Sequence, residues 1–221
     1  MSAVALLLAA GRGERIATDR PKAFLELAGR TLLEISIAAI EACPDVEGHV
    51  VAAPEGWEEE AARAGRPSAK HVAVVRGGPS RRASVAAALA AVPDGFDAVI
   101  CHDVARPLAS PKLFSAVLAM LDRADGVIPV LPVSDTVKRV TEGMVVETVP
   151  REHLALAQTP QAFRRAALEA VHAGPPEEAT DDAILLERAG YRVAAIAGEP
   201  SNLKITVPED VRLAAALIDD G

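Results

Sequence analysis

The sequence predicts an α/β protein built on a mostly parallel, doubly wound sheet, with a β-hairpin arm projecting from it. Three observations carry this reading. Short apolar runs alternate with helical patterns along most of the chain, which is the signature of a parallel sheet with helices on both faces. Half of the 221 residues are hydrophobic but only 3% are aromatic, so the core must be made of Ala, Val, Leu and Ile, as suits strands buried on both faces. One segment, Asp135–Val149, breaks the alternation with two strand-like runs around Glu142-Gly143.

The elements follow in order. Ala3–Leu8 is an apolar run, read as a buried strand, that ends in the glycine-bearing loop Ala9-Ala10-Gly11-Arg12-Gly13-Glu14-Arg15. Thr31–Ala42 reads as a helix opened by a capping box, with Glu34 three residues after Thr31. His49–Ala53, His71–Val75, Ala98–Cys101, Gly126–Val130 and Arg192–Ala197 read as short strands. Ser80 caps a helix running to Val92, and Ser110-Pro111 opens another to about Arg123. Pro208–Asp219 is the closing helix. The whole chain, 1–221, reads as one Rossmann-like domain, with the arm at about 132–154.

Composition limits the function. A net charge of −8 argues against a nucleic-acid or membrane-surface binder, although cations gathered in one cleft can still hold phosphate. Cys43 and Cys101 stand at no metal-ligand spacing and indicate a reduced, cytoplasmic protein. The N-terminal apolar run lacks a basic flank and runs straight into the glycine loop, so it reads as a strand and not a signal peptide.

The glycine loop is the first chemical signal. Glycine lets backbone approach a ligand closely, and Arg12, Arg15 and Lys22 supply cations behind it. Two common phosphate loops are excluded by spacing: G-x-G-x-x-G needs glycine where Ile16 stands, and G-K-[ST] is missing after the first glycine and its four-residue gap. In open parallel sheets ligands bind at the carboxyl ends of strands. The loops at Ala9–Lys22, Arg76–Ser84, Cys101–Pro107 and Asp135–Thr136 therefore converge on one edge. The plain reading of Asp103 is a strand-end carboxylate paired with Arg106; Thr136 reads equally as a strand residue, Thr180 as a helix N-cap, and His102 as structural.

Seven motifs in order make the signal specific: Leu7-x-Ala9-Ala10-Gly11-x-Gly13-x-Arg15, Pro21-Lys22, His102–Pro107, Asp135–Arg139, Thr159-Pro160-Gln161, Thr180–Ala183 and Asn202–Thr206. Over nearly its whole length the chain resembles the 2-C-methyl-D-erythritol 4-phosphate cytidylyltransferases of the non-mevalonate isoprenoid pathway. The resemblance implies transfer of a cytidylyl group from CTP to methylerythritol phosphate with release of pyrophosphate. Ala9, Ala10, Gly11 and Gly13 would wrap the triphosphate, and Gly77, Gly78 and Ser84 would hold the cytosine and ribose. Arg15, Lys22 and Lys204 would be the catalytic cations. Asp103 would face the nucleotide, either at the ribose or helping to hold Mg²⁺ or another divalent cation, directly or through water. Arg106, Thr136, Arg151, Thr159 and Thr180 would bind the acceptor. The resemblance also implies a homodimer through the arm.

Two departures from the family pattern stand out. Pro79 replaces an aspartate that many relatives carry after the paired glycines, and Pro150 precedes the arm arginine where relatives often have Asp. Two rival readings stay open: a cytidylyltransferase acting on ribitol 5-phosphate or a similar polyol phosphate, and a non-catalytic nucleotide-binding regulator. The regulator would be expected to lose Lys22 or Lys204, and both are present.

Overall fold

A computed structural model describes residues 1–11, 20–175 and 179–219. Eight strands form the central sheet. β1 (Ala3–Leu8) lies at its middle, parallel to β4 (Gly48–Ala53) on one side and to β6 (Ala98–Asp103) on the other. β5 (His71–Arg76) extends the β4 side in parallel. Beyond β6 runs β11 (Gln161–Arg164), antiparallel to β6 and to β7 (Gly126–Pro132). β10 (Ala155–Ala157) is antiparallel to the end of β7, and β12 (Val193–Ala197) pairs with β7 in parallel. The sheet is therefore mostly parallel, as expected, with an antiparallel insertion at β10 and β11 that the apolar patterning does not reveal.

Helices cover both faces because β1 alternates between them. Ala3, Ala5 and Leu7 point to one core with α1 (Leu32–Glu41), α4 (Pro111–Ala119) and α7 (Pro208–Asp219). Val4 and Leu6 point to the other with α3 (Arg81–Ala90), α5 (Arg165–His172) and α6 (Ala183–Arg188). Each fully buried Leu or Phe contributes roughly 1.5–3 kcal/mol, and the two cores hold Leu7, Leu33 and Phe114 on one side and Leu6, Phe163 and Leu168 on the other. α2 (Glu58–Gly65), with three glutamates in its first turn, packs beside β5.

Local signals explain the helix starts. Thr31 and Glu34 form the expected capping box, Thr31 Oγ1 accepting from Glu34 N and Glu34 Oε2 accepting from Thr31 N at 2.7 Å. Ser80 and Ser110 cap α3 and α4. Both helices end earlier than the sequence suggests, at Ala90 and Ala119, because each closes in a tighter turn; after α4 a short 3₁₀ segment spans Met120–Asp122. A small ribbon pairs β2 (Glu26–Leu27) with β3 (Arg30–Thr31). The hairpin forms where expected, β8 (Val137–Thr141) pairing with β9 (Met144–Val149) as a separate two-stranded sheet. Its turn places Glu142 at φ 49° and Gly143 at φ 79°, the left-handed pair that a tight hairpin needs. Both cysteines are buried and unbridged. No helix among the described residues is long and apolar enough to cross a membrane.

Candidate active site

The carboxyl ends of β1, β4, β5 and β6 open into a cleft of about 850 Å³. Ala9, Ala10, Gly11, Lys22, Gly77, Gly78, Ser84, Asp103 and Lys204 all line it, so the structure brings together nine of the sixteen residues singled out from the sequence. Gly13 and Arg15 lie outside the described residues. The five acceptor candidates Arg106, Thr136, Arg151, Thr159 and Thr180 are not in its wall.

Packing fixes the loops before any ligand arrives. Ala9 N donates to Ala52 O at 3.0 Å and Gly77 N to Ala53 O at 2.8 Å, which ties Ala9, at the start of the first loop, and the paired-glycine loop to the end of β4. The paired glycines are demanded by close approach. A Cβ on Gly77 would stand 2.3 Å from Ala10 Cβ, and one on Gly78 would stand 2.3 Å from Ala83 Cβ. Ser84 Oγ accepts from Gly78 N at 3.1 Å and donates to Ser80 O at 2.9 Å, so this hydroxyl shapes the loop that faces the ligand.

Two cations hold one carboxylate, and a third lies beside them. Lys204 Nζ lies 2.7 Å from Asp103 Oδ2, and Arg81 Nε lies 3.2 Å from Asp103 Oδ1. Lys22 Nζ donates to Ile205 O at 2.8 Å, which brings it beside the Lys204 segment. That segment is stitched to the β6 loop by Ile205 N donating to Ala105 O at 2.8 Å. Burial disfavours the charged form of Asp103, yet Arg81 and Lys204 outweigh it and hold the carboxyl well below the usual carboxylate range. Burial likewise opposes the Arg81 charge, and Asp182 and Asp103 overcome it, raising the guanidinium above its ordinary value. Arg81 Nη1 reaches Asp182 Oδ2 at 2.6 Å, and His172 Nε2 lies 3.0 Å from Asp182 Oδ1.

The expected Asp103–Arg106 pairing is corrected here. Arg106 N donates to the Asp103 carbonyl, but its guanidinium turns to Asn202 O at 2.9 Å and Ala157 O at 3.2 Å. Asp103 takes Arg81 in its place, because Arg81, the first residue of α3, reaches across from the helix packed on β1, β4 and β5 to the end of β6. Thr180 is not the cap of α6: Asp181 Oδ1 accepts from Ile184 N at 3.1 Å, and Thr180 is exposed. Thr136 precedes β8 instead of lying in it. Thr159 is buried, its Oγ1 accepting from Asp103 N at 3.0 Å and meeting His102 Nδ1 at 3.2 Å. His102 is buried and structural, as expected.

Sequence reasoning missed Arg76, Arg81, Glu55 and Trp57 in the cleft wall. Arg81 could have been found as a cation in the first turn after the paired glycines. Arg76 is held by Glu55 at 2.9 Å and Glu58 at 2.8 Å, partners from the β4–α2 connection and the start of α2 that no local pattern predicts.

A family model described as 2-C-methyl-D-erythritol 4-phosphate cytidylyltransferase matches residues 3–220. The chain belongs to this family. Among relatives of this cytidylyltransferase, the protein of that name from Rhodococcus opacus is 44% identical over 220 residues, covering 99% of this chain and 96% of the relative. The one from Cereibacter sphaeroides is 42% identical and covers 99% and 97%. The crystal structure of the cytidylyltransferase from Thermus thermophilus superposes with a TM-score of 0.81 at 39% identity, covering 99% of this chain and all of that one. That of the Anaerococcus prevotii 4-diphosphocytidyl-2C-methyl-D-erythritol synthase reaches a TM-score of 0.86 at 28% identity, covering 99% and 98%. The cytidylyltransferase fold is thus shared over the whole length.

Proposed function

We propose that this cleft catalyses transfer of the cytidylyl group from CTP to 2-C-methyl-D-erythritol 4-phosphate, releasing pyrophosphate. Family membership supports the reaction, and the convergence of Lys22, Lys204 and Arg81 on a glycine-lined cleft carries the site. A phosphate oxygen of the acceptor attacks the α-phosphorus of CTP, one P–O bond forms, and the bond to the β-phosphate breaks. Charge gathers on the phosphoryl oxygens, so the protein's part is positioning and electrostatic stabilisation. Lys22 and Lys204, with Arg15 on the first loop, neutralise the transferring and leaving phosphates. Ala9, Ala10, Gly11 and Gly13 line the triphosphate, and Gly77, Gly78 and the Ser84-braced loop take the cytosine and ribose.

Among the described residues no three His, Cys, Asp or Glu side chains gather to hold a metal by themselves. Mg²⁺ characteristically binds one or two carboxylates plus substrate phosphates, and the cleft carboxylate Asp103, kept ionised by its cations, fits that donor set, whereas Glu55 in the same wall is taken up by Arg76. A divalent ion brought with the triphosphate would neutralise its charge, with Asp103 as the protein's oxygen. Two buried, unbridged cysteines support a reducing, cytoplasmic setting.

The acceptor site is the part that one subunit leaves incomplete. Thr136 and Arg151 are exposed at the base of the hairpin, where Arg151 Nη1 donates to Ser134 O. The hairpin also exposes Val140, Met144, Val145 and Val146, each by more than half, and an isolated two-stranded ribbon is marginal in water. A two-fold dimer would cover this ribbon and carry Thr136 and Arg151 into the neighbour's cleft, completing a pocket with Arg106, Thr159 and Thr180.

The activity is tested by pyrophosphate release with CTP, UTP and ATP crossed with methylerythritol phosphate and ribitol 5-phosphate. Release is expected only with CTP, methylerythritol phosphate and a divalent cation together. Equal or faster turnover of ribitol 5-phosphate would move the assignment to a polyol-phosphate cytidylyltransferase, and binding of CTP without any turnover would leave a regulator. The dimer is tested by unfolding Lys22→Ala and Arg151→Ala, each inactive alone, and refolding them together. Random pairing makes about half the dimers mixed, each with one intact site, so roughly a quarter of wild-type activity should return. Heterodimers proven by mass that regain nothing would place Arg151 in its own subunit's site.

A further inference from the structure

A chain of polar side chains runs from the protein interior to the cleft: His172, Asp182, Arg81, Asp103, Lys204. Its members come from five separate segments: the end of α5, the start of α6, the start of α3, the end of β6 and the loop before α7. Asp182 is 1% exposed and does not line the cleft, yet it is doubly engaged, Oδ1 by His172 Nε2 and Oδ2 by Arg81 Nη1. Arg81 uses a different nitrogen, Nε, on Asp103. The guanidinium is planar, so fixing one side of its fork fixes the direction of the other.

We propose that Asp182, braced by His172, is a positioning residue for cytidylyl transfer: it fixes Arg81, and through Arg81 it sets the place of the Asp103 carboxylate against Lys204. A buried ion pair is a weak device for stability alone, since well-packed apolar groups of the same volume do as well. Here the buried end leads to a working end. Asp103 and Lys204 both line the cleft, and the Lys204 side chain is 44% exposed there. Without Asp182, Arg81 would keep its charge but lose the contact that orients it, and Asp103 would be free to follow it. Arg82, the next residue, ties the same corner from the other side by donating to Val171 O and Gly174 O at 3.1 Å each, so the start of α3 is joined to the end of α5.

This inference rests on the reading that Asp103 serves the nucleotide, and a double-mutant cycle separates the two. Wild type, Asp103→Asn, Asp182→Asn and the double variant are compared for kcat, for KM of both substrates and for thermal midpoint. Asp182→Asn should lower kcat about tenfold, the scale of a displaced catalytic group, with KM for methylerythritol phosphate unchanged within about twofold. In the Asp103→Asn background the same change should cost less than about twofold more, because its target is already gone. Effects that multiply in full, or wild-type kcat in Asp182→Asn, would overturn the proposal while leaving the site reading intact. Wild-type kcat in Asp103→Asn would overturn the site reading itself. Should Asp182→Asn fail to fold, Arg81→Lys takes its place in the cycle with the same expected outcome, since lysine keeps the charge and loses the fork.

Discussion

Lys22→Ala should lower kcat by ~10²-fold or more while leaving the chain folded, the scale seen when a charge-stabilising donor is removed from an active site. The structure gives Lys22 a rigid mounting that a solvated surface lysine lacks. It opens a short 3₁₀ turn, Lys22–Phe24, whose next two residues, Ala23 and Phe24, are buried. Phe24 packs its ring 4.9 Å from that of Trp57, another wall residue of the cleft. The ammonium is docked on Ile205 O, one residue from Lys204, so lysines from opposite ends of the chain line the same cleft. Alanine would remove the charge and leave the apolar mounting in place, so the thermal midpoint should hardly move. Trp57 is the only tryptophan, and its fluorescence can report CTP binding independently of turnover. The expected pattern is a large fall in kcat with nucleotide binding retained. Wild-type turnover would return Lys22 to the role of a surface cation.

Mild acid should destabilise the fold by several kcal/mol, through two buried histidines. His49 is fully buried on β4, with its Nδ1 unpartnered and its Nε2 3.4 Å from His71 Nδ1. Burial, and then the neighbouring His71, push it down to about 4, against a weaker opposing pull from Glu41. His102, on β6, is pushed down to about 4 by burial, with Arg106 in the same sense and Asp103 opposing. Both groups ordinarily titrate at 6.5, so between that value and about 4 the unfolded chain binds protons that the folded chain refuses. Stability from these groups is therefore complete above 6.5 and is lost as the pH falls toward 4, by on the order of 3 kcal/mol for each. Urea midpoints measured from about pH 7.5 down to about pH 5 should fall steadily with little change in slope. His49→Asn and His102→Asn combined should flatten that dependence whatever their own cost. Midpoints that stay level through this range in the wild type would refute the account.

How much of this was legible in the sequence depends on the range of the interaction. The capping box at Thr31, the serine caps at Ser80 and Ser110 and the left-handed turn at Glu142-Gly143 are settled within four residues of chain, and all are read correctly. The two-faced burial of β1 follows from an unbroken apolar run. The antiparallel insertion of β11 does not, because Gln161 is a polar residue buried by its surroundings, its amide donating to Gln158 O at 3.2 Å and Asp181 at 3.1 Å. Nothing local marks it as strand.

The site divides in the same way. The amino-acid sequence by itself determined the parallel part of the sheet, the cleft at its carboxyl edge and the gathering of Lys22, Asp103 and Lys204 in that cleft, because residue type and motif order carry that information along the chain. Only the tertiary structure decided which cation meets which carboxylate. Asp103 passes over Arg106, three residues away, and pairs with Arg81, because α3, packed on β1, β4 and β5, begins where Arg81 can reach the end of β6, while Arg106 is drawn off by the carbonyls of Ala157 and Asn202. Asp182 reaches Arg81 across 101 positions of sequence. Such pairings are set by how helices pack on a sheet, and Coulomb attraction acts only on the charges that packing has already brought within a few ångströms.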